Sequence, residues 1–174
     1  MLLKDMPVAY NLNLIVLDRE GRCALVETLD GRMAVKTIDS ESGLPPLYAT
    51  HHPLLEELIP YEPKAFVHSI RRYDNITAFL ERHKKGITAG QLKNFFLTPY
   101  PEGLSCSYYS QFFGTTKTMV LDPVRGSLSL CWGGRPENGW HDFNFSDPFP
   151  QETAAIEIHN QTADPSIFAY RSLV

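Results

Sequence analysis

The Asp30-Gly31 pair, set between two apolar segments, constrains this chain more than any other feature. A two-residue Asp-Gly link places both residues at positive φ, and the resulting mirror-image turn matches the right-handed twist of paired strands. Residues 22–29 and 32–38 are therefore expected to fold back on each other as an antiparallel hairpin. In the second arm Met33, Val35 and Thr37 fall on one face and Ala34, Lys36 and Ile38 on the other. A third segment, 13–17, joins the first arm through the turn Asp18-Arg19-Glu20-Gly21. It reads N-L-I-V-L without polar alternation, which predicts cover on both of its faces. Residues 39–46 form a loop. Residues 47–50 are expected as a fourth strand, stopped by His51-His52-Pro53.

The hydrophobic period changes after this polar passage. From 66 to 83, Ile70, Tyr73, Ile76, Thr77, Phe79 and Leu80 recur at helical spacing. Arg71 falls opposite the middle of that face, beside Asn75, Ala78 and Arg82, and is expected in solvent. Arg72 falls on its flank, aligned with Ile76 and Phe79, and is expected at the boundary with the core. Gly86 ends the helix, and Thr88-Ala89-Gly90-Gln91 is a capping-box pattern that opens a second one carrying Leu92, Phe95 and Phe96. Residues 115–121 and 127–132 read as a second hairpin. The alternation of His141, Phe143 and Phe145 adds a strand, and 154–158 offers a short one. Residues 150–174 are read as a polar, loosely held tail. Strands, then helices, then strands describe an α+β chain with helices on antiparallel sheet, expected as a single domain over 1–174.

Composition narrows the function classes. A net charge of -4 without a Lys/Arg stripe argues against nucleic acid as a partner. The run Arg82-His83-Lys84-Lys85 reads as a solvated helix end. No apolar run is long enough for a membrane span, and the first residues carry no signal pattern. Cys23, Cys106 and Cys131 are odd in number and widely spaced, which argues against a disulfide framework and for a reducing, cytoplasmic setting. His51 and His52 have no third ligand at metal-site spacing, so no metal or cofactor is expected.

Several segments together resemble a known family. Asn13-Leu14-Ile15-Val16-Leu17-Asp18-x-x-Gly21, Leu25-Val26-Glu27 and Thr50-x-x-Pro53 are followed in order by Ser69-x-x-Arg72-Tyr73. Then come Gly114-Thr115-Thr116-x-Thr118-x-Val120-x-Asp122 and Gly133-Gly134-Arg135-Pro136. This series resembles the choloylglycine hydrolase, penicillin V acylase and acyl-CoA:6-aminopenicillanic acid acyltransferase superfamily of N-terminal-nucleophile (Ntn) hydrolases. The resemblance implies an αββα layered sandwich with antiparallel sheets, and cleavage or transfer at a linear amide C–N bond. It implies an N-terminal cysteine thiolate as nucleophile, its own α-amino group as base, and an oxyanion held by backbone and asparagine donors.

Mapped residue by residue, the resemblance makes Arg72 the active-site arginine and places Thr50 and His51 in the catalytic wall. His51 stands where the family carries asparagine, and a neutral imidazole donates one hydrogen bond. The family's nucleophile lies upstream of the strands at 13–38, and no cysteine here takes its place; Cys106 is the best substitute thiol. The chain is thus expected to be the C-terminal portion of such an enzyme, incomplete as a fold and inactive alone. The alternative is a non-catalytic binding or structural domain that keeps the scaffold. Tyr108 and Phe112 are candidate acyl-binding residues. The implied partners are a small acyl-amide ligand and either a second copy, in a homo-oligomer, or a complementary N-terminal chain.

Overall fold

The Asp30-Gly31 link folds as its composition requires. Asp30 sits at φ 47 and Gly31 at φ 75, and β2 (Cys23–Leu29) pairs antiparallel with β3 (Arg32–Ile38), from Cys23 opposite Ile38 to Leu29 opposite Arg32. The structure, a computed structural model, describes residues 11–39, 41, 43–148 and 155–174. They divide into two compact units, one running to Tyr73 and rejoined by Ser166–Val174, the other comprising Asp74–Pro165.

In the first unit β1 (Leu12–Leu17) completes a three-stranded sheet of order β1-β2-β3. Residues opposite one another across the ladders share a face, so Asn13, Glu27 and Ala34 line one side and Leu14, Val26 and Val35 the other. β2 is buried from Leu25 to Leu29, because it has a neighbour on each side. β1 behaves differently from its apolar composition. It is an edge strand, and Leu12, Ile15, Val16 and Leu17 remain between 42% and 49% exposed rather than covered on both faces. On the Asn13 side, Leu29 and Ala34 pack against Leu58 and Leu55 from the segment after the polar passage. That segment is tied down by Glu27, whose buried carboxylate accepts hydrogen bonds from the backbone N–H of Leu54 (2.9 and 3.0 Å) and of Leu55 (2.9 Å). Residues 47–50 form no strand. Their polar groups turn to side-chain partners, described below.

β4 (Lys64–Phe66) leads directly into α1 (Val67–Arg82), within one residue of the span predicted from periodicity. β4 pairs with β10 (Tyr170–Ser172), and the N–H of Val67 donates to the Ala169 carbonyl at 2.9 Å. An N-terminal helix amide otherwise lacking an intrahelical acceptor is thereby satisfied. The final residues are therefore not a loose tail: Ser166–Val174 fold into this unit, with Ile167 buried and Tyr170 packed on Phe66 at 4.3 Å.

The second unit holds the end of α1 and α2 (Ala89–Leu97). The capping box forms as read, with Gln91 N–H donating to Thr88 Oγ1 and Thr88 N–H donating to Gln91 Oε1. Phe79 stacks on Phe95 with centroids 4.2 Å apart. The short strands β5 (Ser107–Tyr108) and β6 (Phe113–Gly114) pair with each other. β7 (Lys117–Asp122), β8 (Ser127–Trp132) and β9 (His141–Asn144) form an antiparallel sheet in sequence order. Residues 155–158, expected as a strand, have no regular structure, and residue 154 lies outside the described residues. Mixed helices with antiparallel sheets make the chain α+β. No helix among the described residues is long and apolar enough to cross a membrane.

Two glycines separate backbone strain from crowding. At Gly31 (φ +75) a Cβ would meet nothing within 4 Å, whereas at Gly134 (φ +58) it would lie 2.5 Å from Ser105 Oγ and 2.8 Å from Thr115 Cβ. Gly31→Ala is expected to cost the left-handed backbone penalty alone, about 1–2 kcal/mol. Gly134→Ala adds overpacking to that penalty and is expected to cost about 1–3 kcal/mol more. Urea denaturation of the two variants checks the order; equal costs would refute the crowding at Gly134.

Candidate functional site

Asn13 is the one polar residue in the apolar run of β1, and the register points it to the same side as Glu27. Its side-chain amide donates to the carbonyl of Thr50 and to that of His52, both at 2.8 Å. These carbonyls flank His51, whose own N–H donates to Ser69 Oγ at 2.9 Å. Ser69 lies in the first turn of α1 and is wholly buried. The Thr50 hydroxyl donates to the Ser69 carbonyl at 3.2 Å, the Ser69 hydroxyl donates to Thr50 Oγ1 at 3.1 Å, and His52 Nδ1 lies 2.8 Å from Ser69 Oγ. His52 Nδ1 also lies 3.2 Å from Thr50 Oγ1, so the imidazole closes a three-membered polar cluster with the two hydroxyls. The His52 ring stands edge-on to Tyr73 at 5.7 Å, and Tyr73 stacks on Tyr48 at 4.8 Å.

Ser69 and His52 have the separation of a serine nucleophile and its base. The hydroxyl is nevertheless buried and engaged by Thr50, His51 and His52, which makes it a structural anchor. The chemistry-bearing side chains lie beside it. The His51 ring faces the His68 ring edge-on at 6.2 Å, and His68 sits one helical turn before Arg72, on the same face of α1. Arg71 is exposed and Arg72 half-buried, as the helical phase predicted.

The electrostatics of this group follow from burial and one cation. His51 keeps an exposed edge, yet the protein packed around its ring, and then the Arg72 charge, hold its pKa below the ordinary value. His68 is fully enclosed; burial first, then Arg72 and His51, bring its pKa down to about 4. Both imidazoles are neutral at pH 7 and each offers one N–H donor and one acceptor. A cavity of about 360 Å³ opens on this side of the sheet, lined among others by Asn13, Glu27, Thr50, His51, Leu58 and Glu62. Burial raises the carboxyl pKa of Glu27, and burial followed by the Asp30 charge raises that of Glu62. Arg72 is outside the cavity lining and bears on it through His51.

The structure thus brings Thr50, His51 and Arg72 together. Tyr108 and Phe112 lie in the other compact unit: Tyr108 is buried near Phe113, with ring centroids 6.3 Å apart, and Phe112 is fully exposed at φ 56. All three cysteines are free thiols. Cys106 and Cys131 are buried, and Cys23 lines a different recess beside Asp39 and Leu44. Burial raises the thiol pKa of Cys23 and of Cys131, which lowers their thiolate population. Among the described residues no group of three or more His, Cys, Asp or Glu side chains is placed to hold a metal ion. Sequence reading assigned no role to Asn13 or Ser69. The signal for the first was available, since a lone amide in an apolar strand needs buried partners.

A protein-family model described as acyl-coenzyme A:6-aminopenicillanic acid acyl-transferase matches residues 1–137. No curated protein and no solved structure matches the chain.

His68 provides a test of the electrostatics. Its pKa is lowered in the folded state, so its contribution to stability is complete above 6.5 and is lost as pH falls from there towards about 4. The loss across this window is expected to be on the order of 2–3 kcal/mol. His68→Phe, which keeps a ring against Phe66, removes that part of the pH dependence. Thermal denaturation of both proteins from pH 7 to 4 checks it, and parallel curves would rule out a buried neutral His68.

Proposed function

The chain belongs to the acyl-coenzyme A:6-aminopenicillanic acid acyl-transferase family, and from that premise we propose that it contributes the histidine–arginine wall of a site for cleaving or transferring acyl groups at linear amide C–N bonds. The observation that carries this reading is His51 itself, which lines an open cavity on a turn held from both sides, with Arg72 near enough for its charge to act on the ring. In the reaction a cysteine thiolate attacks the amide carbon, and the carbonyl oxygen gains charge in the tetrahedral intermediate. A fixed N–H donor directed at that oxygen lowers the barrier more than it stabilises the ground state. His51 is that donor in this chain, in the position of the family's asparagine. Burial and, after it, Arg72 keep His51 neutral, and Arg72 supplies positive potential that favours thiolate and oxyanion together. Collapse of the intermediate, as the proton that the cysteine's α-amino group took from the thiol passes to the leaving nitrogen, forms an acyl thioester and releases the amine. Water or a second amine then takes the acyl group and returns the thiol.

The thiol comes from outside this group of residues. Cys106 and Cys131 are enclosed and Cys23 opens elsewhere, so the chain alone binds an acyl amide without turning it over. A complementary segment carrying the nucleophile would add to the edge of β1, whose half-exposed leucines, isoleucine and valine suit strand addition. This arrangement extends the α+β fold towards the layered αββα sandwich, and the free thiols suit a cytoplasmic setting. The second reading, a binding domain that retains the scaffold, is favoured by the same buried thiols; it differs in needing no complement.

Two outcomes test the proposal. The 174-residue chain is expected to leave a fluorogenic N-acyl amide intact while binding it, and turnover that disappears in Cys106→Ser would overturn the missing-thiol reading. Arg72→Ala is expected to weaken binding by about two- to fivefold, because its charge reaches the cavity only through His51, with Arg71→Ala near wild type. Equal effects of the two substitutions, measured by fluorescence titration, would remove Arg72 from the site.

A further inference from the structure

We propose that Asn13 is a positioning residue, which from the first strand of the sheet holds the turn that presents His51 to the cavity. The inference rests on the reading of His51 as the donor that faces the ligand.

The argument begins with donor arithmetic. The Asn13 amide has two N–H bonds, and both are used, one on the Thr50 carbonyl and one on the His52 carbonyl. Two carbonyls flanking one residue can meet a single nitrogen only if the residue between them bulges away from it. That residue is His51, and its own N–H points to Ser69 Oγ on α1. The turn is therefore gripped by the sheet through Asn13 and by the helix through Ser69. Glu27, opposite Asn13 on β2, continues the pattern with opposite polarity, accepting from the N–H groups of Leu54 and Leu55. One strand pair thus holds the passage from Thr50 to Leu55, by a donor at one end and an acceptor at the other. No other residue type of this size does the work of Asn13. Leucine leaves two carbonyls without their donor, and aspartate sets acceptor against acceptor.

The test reads His51 directly and uses no substrate, so it stands or falls apart from the acyl chemistry. Asn13→Leu is compared with Asn138→Leu, a matched control in the other unit whose amide also donates to two carbonyls, those of Trp132 and Glu157, each at 2.9 Å. In Asn13→Leu, hydrogen exchange at the His51 amide is expected to accelerate by about tenfold or more, as two hydrogen bonds are lost locally. The Val26 and Phe95 amides should keep their native rates. The His51 imidazole, followed by nitrogen-15 NMR, is expected to titrate closer to 6.5 as the ring leaves its packed position. Asn138→Leu should change neither reading. If Asn13→Leu leaves both unchanged, or if Asn138→Leu alters them equally, Asn13 is an ordinary structural residue. Should Asn13→Leu not fold, Asn13→Ala decides by the same two readings, since it removes the two amide donors with a smaller side chain. Faster exchange at His51 supports the clamp, and an unchanged rate overturns it.

Discussion

The register of the first sheet is the constraint on which everything else in the first unit depends. With Asp30-Gly31 as the link, Leu29 faces Arg32 and Glu27 faces Ala34, and the next ladder sets Asn13 opposite Glu27. A slip of one residue would send every side chain to the other face. Asn13 and Glu27 would then exchange places with apolar neighbours, and the passage from Thr50 to Leu55 would lose the donor and the acceptor that hold it. The two-residue turn thus reaches the candidate site although it lies outside it.

The polar passage in turn joins sheet to helix. Ser69, at the start of α1, receives the His51 N–H and the His52 ring, so the helix begins where the turn ends. That placement brings His68 and Arg72 to the same side as His51. Burial first, and then the Arg72 charge, opposes adding a proton to either histidine. The resulting wall is rich in neutral donors and carries one fixed positive charge, which suits stabilisation of a developing oxyanion. Of the three thiols, Cys23 shares this unit and Cys106 and Cys131 belong to the other. Two are packed into cores and the third opens on another recess.

Much of this was legible in the amino-acid sequence. The hairpin, the extent of α1, the capping box at Thr88, the second hairpin and the different exposures of Arg71 and Arg72 all come from local chemistry or short periodicity. Such signals depend on neighbours one turn or one residue away. The exposed β1 was misjudged because an apolar run shows an affinity for cover and not whether a neighbour is there to provide it. The last residues were misjudged because a polar composition hides backbone pairing: β10 docks through its main chain and Tyr170, and Phe168 just before it packs on His68.

The sequence by itself determined the two main hairpins, the two helices and the helical face on which Arg72 lies, since each follows from turn stereochemistry and from the periods of strand and helix. Only the tertiary structure decided that Asn13, His51, Ser69 and Arg72 belong together. Their meeting depends on hydrogen bonds between residues 18 to 39 positions apart in the chain, and no local period encodes them. It also decided which histidine does what. His52 and His51 are adjacent and chemically identical in the sequence, yet His52 is buried with its ring against Ser69 while His51 is exposed and meets Ser69 through its backbone N–H.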